Sequence, residues 1–272
     1  MMRKWKLLLT TLPVVVAIMV LKLLIERVTG QPGWVDFSDV SAVLTAGAFL
    51  IGFMLAGTLS DYKESEKLPS ELATTLETIE DLIAVSDCRD GFDAAAARRD
   101  LATIAERVMQ WLAHRAPLES VHLAIEAMNG HFQSMDLAGA TPHANRSIVF
   151  MNAVRRIVGR MDVVRRTGFL ATGYAILEVI VVSILLLLLA SRFKTLVAEY
   201  TLVVSISLIY VYMLRLIRDI DDPFDYGTDL DARGAAEVEL FPLAEYVARA
   251  RARSPGAIAA PAALMPAAAA PA

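Results

Sequence analysis

The sequence predicts an all-α integral membrane protein, with four transmembrane helices and a helical cytosolic insertion between the second and third. Three observations lead there. Hydrophobic residues make up 56% of the 272 and charged residues only 21%, where soluble domains average about 45–50% and about 25%. Mean hydropathy is +0.50. Four windows are as apolar and as long as the roughly 20 residues that cross a bilayer core of about 30 Å. Low Gly and Pro counts, 14 and 11, argue against a loop-rich β fold. A net charge of −4 excludes a basic nucleic-acid binder. The single cysteine, Cys88, excludes an intrachain disulfide framework and a cysteine-rich zinc site.

The first window covers residues 7–25 and contains Pro13 and Lys22. Lys22 sits one turn from its end, where a long side chain can snorkel to the interface. Arg3, Lys4 and Lys6 precede the window, as in a secretory signal, but the exit LLIERVTG offers no small-residue cleavage site. A retained helix follows, either crossing the bilayer or lying partly along it. The second window, residues 40–59, has no charge. The third, residues 168–190, holds Glu178, and the fourth, residues 196–214, holds Glu199 near its start.

Lys and Arg near the span ends set orientation. Arg3, Lys4, Lys6, Lys63, Lys67, Arg160, Arg165, Arg166, Arg215 and Arg218 fall on one side, against Lys22, Arg27, Arg192 and Lys194 on the other. Both termini and the long middle segment are therefore expected in the cytoplasm, with the chain multi-pass in the cell (inner) membrane.

The expected organisation is residues 1–60 as the first two spans, 61–167 as the cytosolic helical region, 168–218 as the last two spans, 219–253 as an acidic turn and helix, and 254–272 as a disordered Ala/Pro tail. In the cytosolic region a helix starts at Ser70, with Leu72, Leu76, Ile79 and Ile83 on one stripe. Asp93 reads as the N-cap of a second helix, through Leu101, Ile104, Val108, Trp111 and Leu112 to about Arg115. A third runs from Pro117 at its first position to Asn129 and stops at Gly130. Residues 131–145 read as a connector. A fourth helix starts near Arg146 and runs unbroken into the third span, burying Val149, Asn152, Ile157, Met161 and Val164. Arg155, Arg156, Arg160, Arg165 and Arg166 lie between. They form either a solvated face with interfacial anchors or a basic wall for anions and headgroups.

Enzyme motifs are absent: there is no P-loop, no Gly-x-Gly-x-x-Gly, no Gly-x-Ser-x-Gly and no His-Glu-x-x-His. His114, His122, His131 and His143 do not share a helical face as a ligand pair. The prediction is no enzyme, no cofactor and no bound metal. The second span carries more. Ala48, Gly52, Ala56 and Ser60 recur every four residues, a stripe suited to close helix contact. Thr45, Phe49 and Phe53 recur at the same interval on an adjacent face. That face is either ordinary packing or a narrow apolar neck, which gates by dewetting when several copies surround an axis. Ring edges carry partial positive charge and tolerate a passing anion.

After the fourth span, Asp219, Asp221, Asp222, Asp225, Asp229 and Asp231 crowd into thirteen residues. This is a helix stop with a solvated acidic turn, or an oxygen-rich clasp for a hard cation. Glu178, inside the third span, should face the bundle interior or water, or be protonated. Ser205 or Ser207 is its expected hydrogen-bond partner.

Phe49-Leu-Ile-Gly52-Phe53, followed by Leu68-Pro69, resembles the neck motif of the bestrophin family of ion channels. Tyr210-Val211-x-x-Leu214-Arg215 with Asp222-Pro223-Phe224 resembles that family's Tyr-Val-x-x-Leu-Lys and Asn-Pro-Phe. The exit SDYKESEK lacks the family's tryptophans, and Tyr226, Gly227, Thr228 and Leu230 interrupt the acidic run. The resemblance implies a passive channel for chloride or other small anions. It implies a homopentamer in the lipid bilayer, with Thr45, Phe49 and Phe53 at the three neck rings and inorganic ions as its ligands. A membrane-anchored helical scaffold or sensor without a pore is the alternative.

Overall fold

The computed structural model describes residues 3–30, 33–167, 171–226, 230 and 236–253. Among these the helices are α1 (Arg3–Thr29), α2 (Phe37–Ser65), α3 (Leu68–Ser86), α4 (Ala94–Leu112), α5 (Leu118–Leu137), α6 (Thr141–Arg166), α7 (Ala171–Ala190), α8 (Leu196–Asp221) and α9 (Phe241–Ala252). Two short strands, β1 (Val35–Asp36) and β2 (Ser191–Arg192), pair in parallel. The chain is an all-α integral membrane protein: four helical segments are long and apolar enough to cross a bilayer, and a helical insertion separates the second from the third. It divides into two compact units. One holds α1, α2 as far as Tyr62, α7 and α8, and the other holds α3 to α6 with the turn after Pro223 and α9. The Ala/Pro tail at 254–272 and the acidic residues Asp229 and Asp231 lie outside the described residues.

In the membrane unit α1 passes through Pro13 as one helix. The buried positions fall at spacings of four, three and four: Thr11, Val15, Ile18 and Lys22 on α1, and Leu177, Val181, Ile184 and Leu188 on α7. On α2 the same spacing selects Gly47, Ile51, Met54 and Thr58. These rows mesh into two apolar clusters. Ile51 and Met54 pack with Leu177, Val181, Ile184, Tyr210 and Ile217, while Ile18 packs with Leu189, Val203 and Val211. The links α1–α2 and α7–α8 meet at the β1–β2 ladder. Gly33, at φ +136°, is required there, because a Cβ would lie 2.6 Å from the Ser191 carbonyl carbon. Phe37 and Phe193 stack beside the ladder at 4.9 Å between centroids.

In the second unit Leu72, Leu76, Ile79 and Ile83 of α3 are all fully buried, as their periodicity requires. The Asp93 carboxylate accepts the Ala96 N–H at 2.8 Å and caps α4. That helix ends at Leu112, short of Arg115, because His114 takes a positive φ of 57°. Pro117 is the N-cap of α5 rather than its first helical residue. The stop expected at Gly130 does not occur. α5 runs on to Leu137, since Phe132 and Met135 are buried and their burial outweighs a glycine cost of about 1 kcal/mol. The expected connector at 131–145 therefore shrinks to residues 138–140, and α6 starts at Thr141 instead of near Arg146.

The fourth helix of the insertion is not continuous with the third span. α6 ends at Arg166, and Thr167 turns extended at φ −116° and ψ 107°. Its inward stripe is also shifted, to Ala144, Ser147, Met151, Val154, Val158 and Met161. Val149 is 65% exposed, and Asn152 is exposed too. Apolar residues lie on both sides of α6, so only its contacts with α3 and α5 decide which row is buried. The arginines between are largely engaged. Arg160 forms a two-point pair with Glu64 at 2.8 and 2.9 Å. Arg165 lies 5.3 Å over the Trp111 ring and within 2.8 Å of His114 Nδ1, and Arg166 pairs with Asp162 at 2.8 Å. α9 packs on α3 and α4 through Leu243 and Tyr246, both fully buried. Arg249, Arg251 and Arg253 rim it with pairs to Glu77, Glu106 and Glu80.

Candidate functional site

The second membrane helix has two unlike faces. Inward, Gly47 lets α2 approach α7 and α8. A Cβ there would meet Ile184 Cδ1 at 2.5 Å, Tyr210 Cε1 at 3.1 Å and Ile180 Cγ2 at 3.2 Å. The Tyr210 hydroxyl donates to the Leu44 carbonyl and ties α8 to α2. Outward lie Thr45, Ala48, Phe49, Gly52, Phe53, Ala56 and Ser60, every one exposed in the protomer. Phe49 is 78% exposed and Phe53 65%. A Cβ on Gly52 would meet nothing within 4 Å. Among the described residues the stripe Ala48, Gly52 and Ala56 therefore makes no close helix contact. That job belongs to Gly47, a glycine the four-residue periodicity passed over. Its signal was available only in combination, as a small residue beginning the 47-51-54-58 row.

The exit of α8 is a tied turn. Asp222 is the C-cap of the helix. The Pro223 carbonyl accepts the Val238 N–H at 2.9 Å, and the Tyr226 hydroxyl donates to the Val238 carbonyl. Phe224 is fully buried and Asp225 half-buried. Among the described residues no group of three His, Cys, Asp or Glu is placed to hold a metal ion. Asp229, the remaining carboxylate of the expected clasp, lies outside those residues.

Glu178 does not partner a serine. Arg218, in the last turn of α8, reaches it with a guanidinium N–H, and both side chains are about half exposed. Ser207 is buried with its hydroxyl unpartnered. A serine hydroxyl extends one bond past Cβ, whereas an arginine spans the gap with its whole stem. Tyr174, one turn before Glu178, directs its hydroxyl to the Ile217 carbonyl at 3.5 Å and so joins the same ends of α7 and α8.

The largest departure from expectation is Lys22. It does not snorkel: its side chain is 0% exposed. The ammonium lies 2.9 Å from Glu199 Oε1 and 3.3 Å from Glu26 Oε1. It donates to the carbonyls of Ser191 at 2.6 Å and Leu189 at 3.3 Å. The Phe193 ring stands 5.9 Å away. Bilayer reasoning sends a lone lysine to the interface, but a carboxylate on a neighbouring helix gives it a better place inside. The i,i+4 pair Lys22–Glu26 and the charge at the start of the fourth window were the visible clues.

No family profile matches the chain, and no curated protein does. Solved structures do. The chain is similar to a bacterial bestrophin homologue from Klebsiella pneumoniae, with TM-score 0.70 and 15% identity over 92% of this chain and 97% of that one. Two point variants of a bestrophin homologue from the same organism superpose with TM-score 0.74, at 13% and 14% identity, over 93% of this chain and 100% of theirs. The fold is thus that of the bacterial bestrophin homologues.

Proposed function

We propose that this protein is a passive ion channel of the bestrophin type, passing chloride or other small anions through a pore shared by identical copies. The observation that carries the reading is the outward face of α2. Phenyl rings turned to lipid would be ordinary. What sets this face apart is the row of small residues beside them and the polar Thr45 and Ser60 above and below. The outward residues of α1 and α7 are bulky aliphatics such as Val16, Val20, Val179 and Leu186. Around an axis, Thr45, Phe49 and Phe53 form three stacked rings. The two phenyl rings raise a dewetting barrier, and their edges favour an anion without trapping it. Ala48, Gly52 and Ala56 let neighbouring α2 helices close up beside the rings.

In this reading five copies sit in the inner membrane with both termini and residues 61–167 in the cytoplasm. Those residues, with the 219–253 turn and helix, supply a vestibule to the pore that spans 1–60 and 168–218 form, and the Asp222-Pro223-Phe224-Asp225 turn belongs to its wall. No reaction is catalysed and no cofactor is needed.

The test is flux from liposomes under opposed chloride and sodium gradients. Wild type should pass chloride. Replacing Phe49 and Phe53 together with Ala should raise conductance or relax selectivity, and unchanged currents in that variant would remove the neck assignment. Light scattering of the purified protein should return five copies. One or two copies with no flux would point to a scaffold without a pore.

A further inference from the structure

The packed helices α3 and α6 leave an open groove of about 400 Å³ between them, a size within the roughly 300–1,000 Å³ of small-molecule sites. Its origin is in the sequence. Ser70, Glu71 and Thr74 share one face of α3, and Ala153, Arg156 and Ile157 share one face of α6. Hydroxyl and alanine side chains are short, so the facing rows do not close on each other. The charges in the groove set it apart. Other arginines of this unit are engaged: Arg160 with Glu64, Arg166 with Asp162, Arg251 with Glu106 and Arg253 with Glu80. Even Arg155, next in the chain, donates to the Asn152 side chain at 3.2 Å. The Arg156 and Glu71 side chains have no hydrogen-bond or ion-pair partner among the described residues, and they do not pair with each other. The Thr75 hydroxyl donates to the Glu71 carbonyl at 2.7 Å, while those of Ser70 and Thr74 stay available.

We infer that this groove binds a small zwitterion, an α-amino acid with an aliphatic side chain, its carboxylate on Arg156 and its ammonium on Glu71. A simple anion would gain Arg156 and be opposed by Glu71, and a simple cation would meet the reverse. A molecule that carries both charges gains from each. The guanidinium fork matches a carboxylate at two points. An ammonium has three N–H donors, enough for the Glu71 carboxylate and a neighbouring hydroxyl. The half-buried Ala153 and Ile157 give the aliphatic body an apolar surface to cover. Every lining residue belongs to the same compact unit, and the inference stands whether or not the protein conducts ions.

Saturation-transfer NMR on the full chain in lipid nanodiscs tests it, with empty nanodiscs as the blank. L-Alanine, L-valine and L-leucine are titrated separately, beside isocaproate and isoamylamine, which are leucine without its amine and leucine without its carboxyl. A groove this open should hold leucine weakly, with a Kd of about 1 mM. Each analogue should bind about tenfold more weakly, the factor expected for losing a hydrogen-bonded charge. Arg156→Gln should bind leucine no better than isoamylamine, and Glu71→Gln should bind it no better than isocaproate. Both side chains are exposed, so both variants should keep the wild-type melting temperature. The inference is overturned if none of the three amino acids binds wild type, or if either analogue matches leucine there. It is equally overturned if both variants bind leucine as wild type does, or if they weaken all three ligands alike. If one variant does not fold, the analogues on wild type still decide.

Discussion

The two units of this chain solve opposite problems. In the unit of α3–α6 and α9 the large apolar side chains point inward and the charges outward. Leu72, Leu76, Ile104, Val108 and Phe132 are buried, while Arg160, Arg166 and Arg249 make their ion pairs at the surface. Burial pushes the Glu80 carboxyl above its ordinary range even with Arg253 drawing it down, so a deep carboxylate in that unit is an exception that needs a partner. In the membrane unit the arrangement is reversed. Leu9, Val16, Val20, Val179 and Leu186 are exposed, and Lys22, Thr11, Thr58, Glu199 and Ser207 are buried. Water drives apolar groups together; hydrocarbon does not, and what it excludes is polarity. The difference teaches that the same helical pattern must be read against two solvents.

The comparison breaks most visibly in the cores. Leu76→Ala in α3 should cost about 2–5 kcal/mol, read by urea titration on Trp111 fluorescence with Trp5 and Trp34 replaced by Phe. Leu186→Ala on the outward face of α7 should stay within about 0.5 kcal/mol. Equal losses at the two sites would end the contrast. The next effect lies within α2 itself. Gly47→Leu should cost about 1–3 kcal/mol by overpacking against Ile184 and Tyr210, seen as a lower melting temperature in detergent. Gly52→Leu should leave the protomer's melting unchanged, since a Cβ there meets nothing within 4 Å, and on the proposed pore it should lower the copy number in light scattering. The smallest effect tests the second unit alone. Asp93→Ala should remove the α4 cap and cost about 1 kcal/mol, with faster hydrogen exchange confined to the first turn of α4.

Legibility followed the same divide. In the second unit the alternation of apolar and polar residues marks the buried row directly, and Leu72-Leu76-Ile79-Ile83 was readable from spacing alone. It failed on α6, where Val149 and Val154 are equally apolar and only Val154 is buried. It also failed at Gly130, where the local stop signal yielded to buried Phe132 and Met135. In the membrane helices nearly every position is apolar, so hydropathy finds the helix and says nothing of its inward face. Phe49 and Phe53 were visible as a motif, but Gly47 was not, because its meaning is a 2.5 Å approach to a side chain 137 residues later.

Sequence alone determined that four helices are long and apolar enough to cross a bilayer, that a helical insertion divides them, and that α2 carries a face unlike the others. Those features are written in residue type and period, which a single chain displays. Tertiary structure decided which rows are buried, that Arg218 and not a serine meets Glu178, and that Lys22 turns inward to Glu199. Each of these depends on how far apart two helices stand, and a charge moves into a protein interior only when its partner on another helix is already within reach.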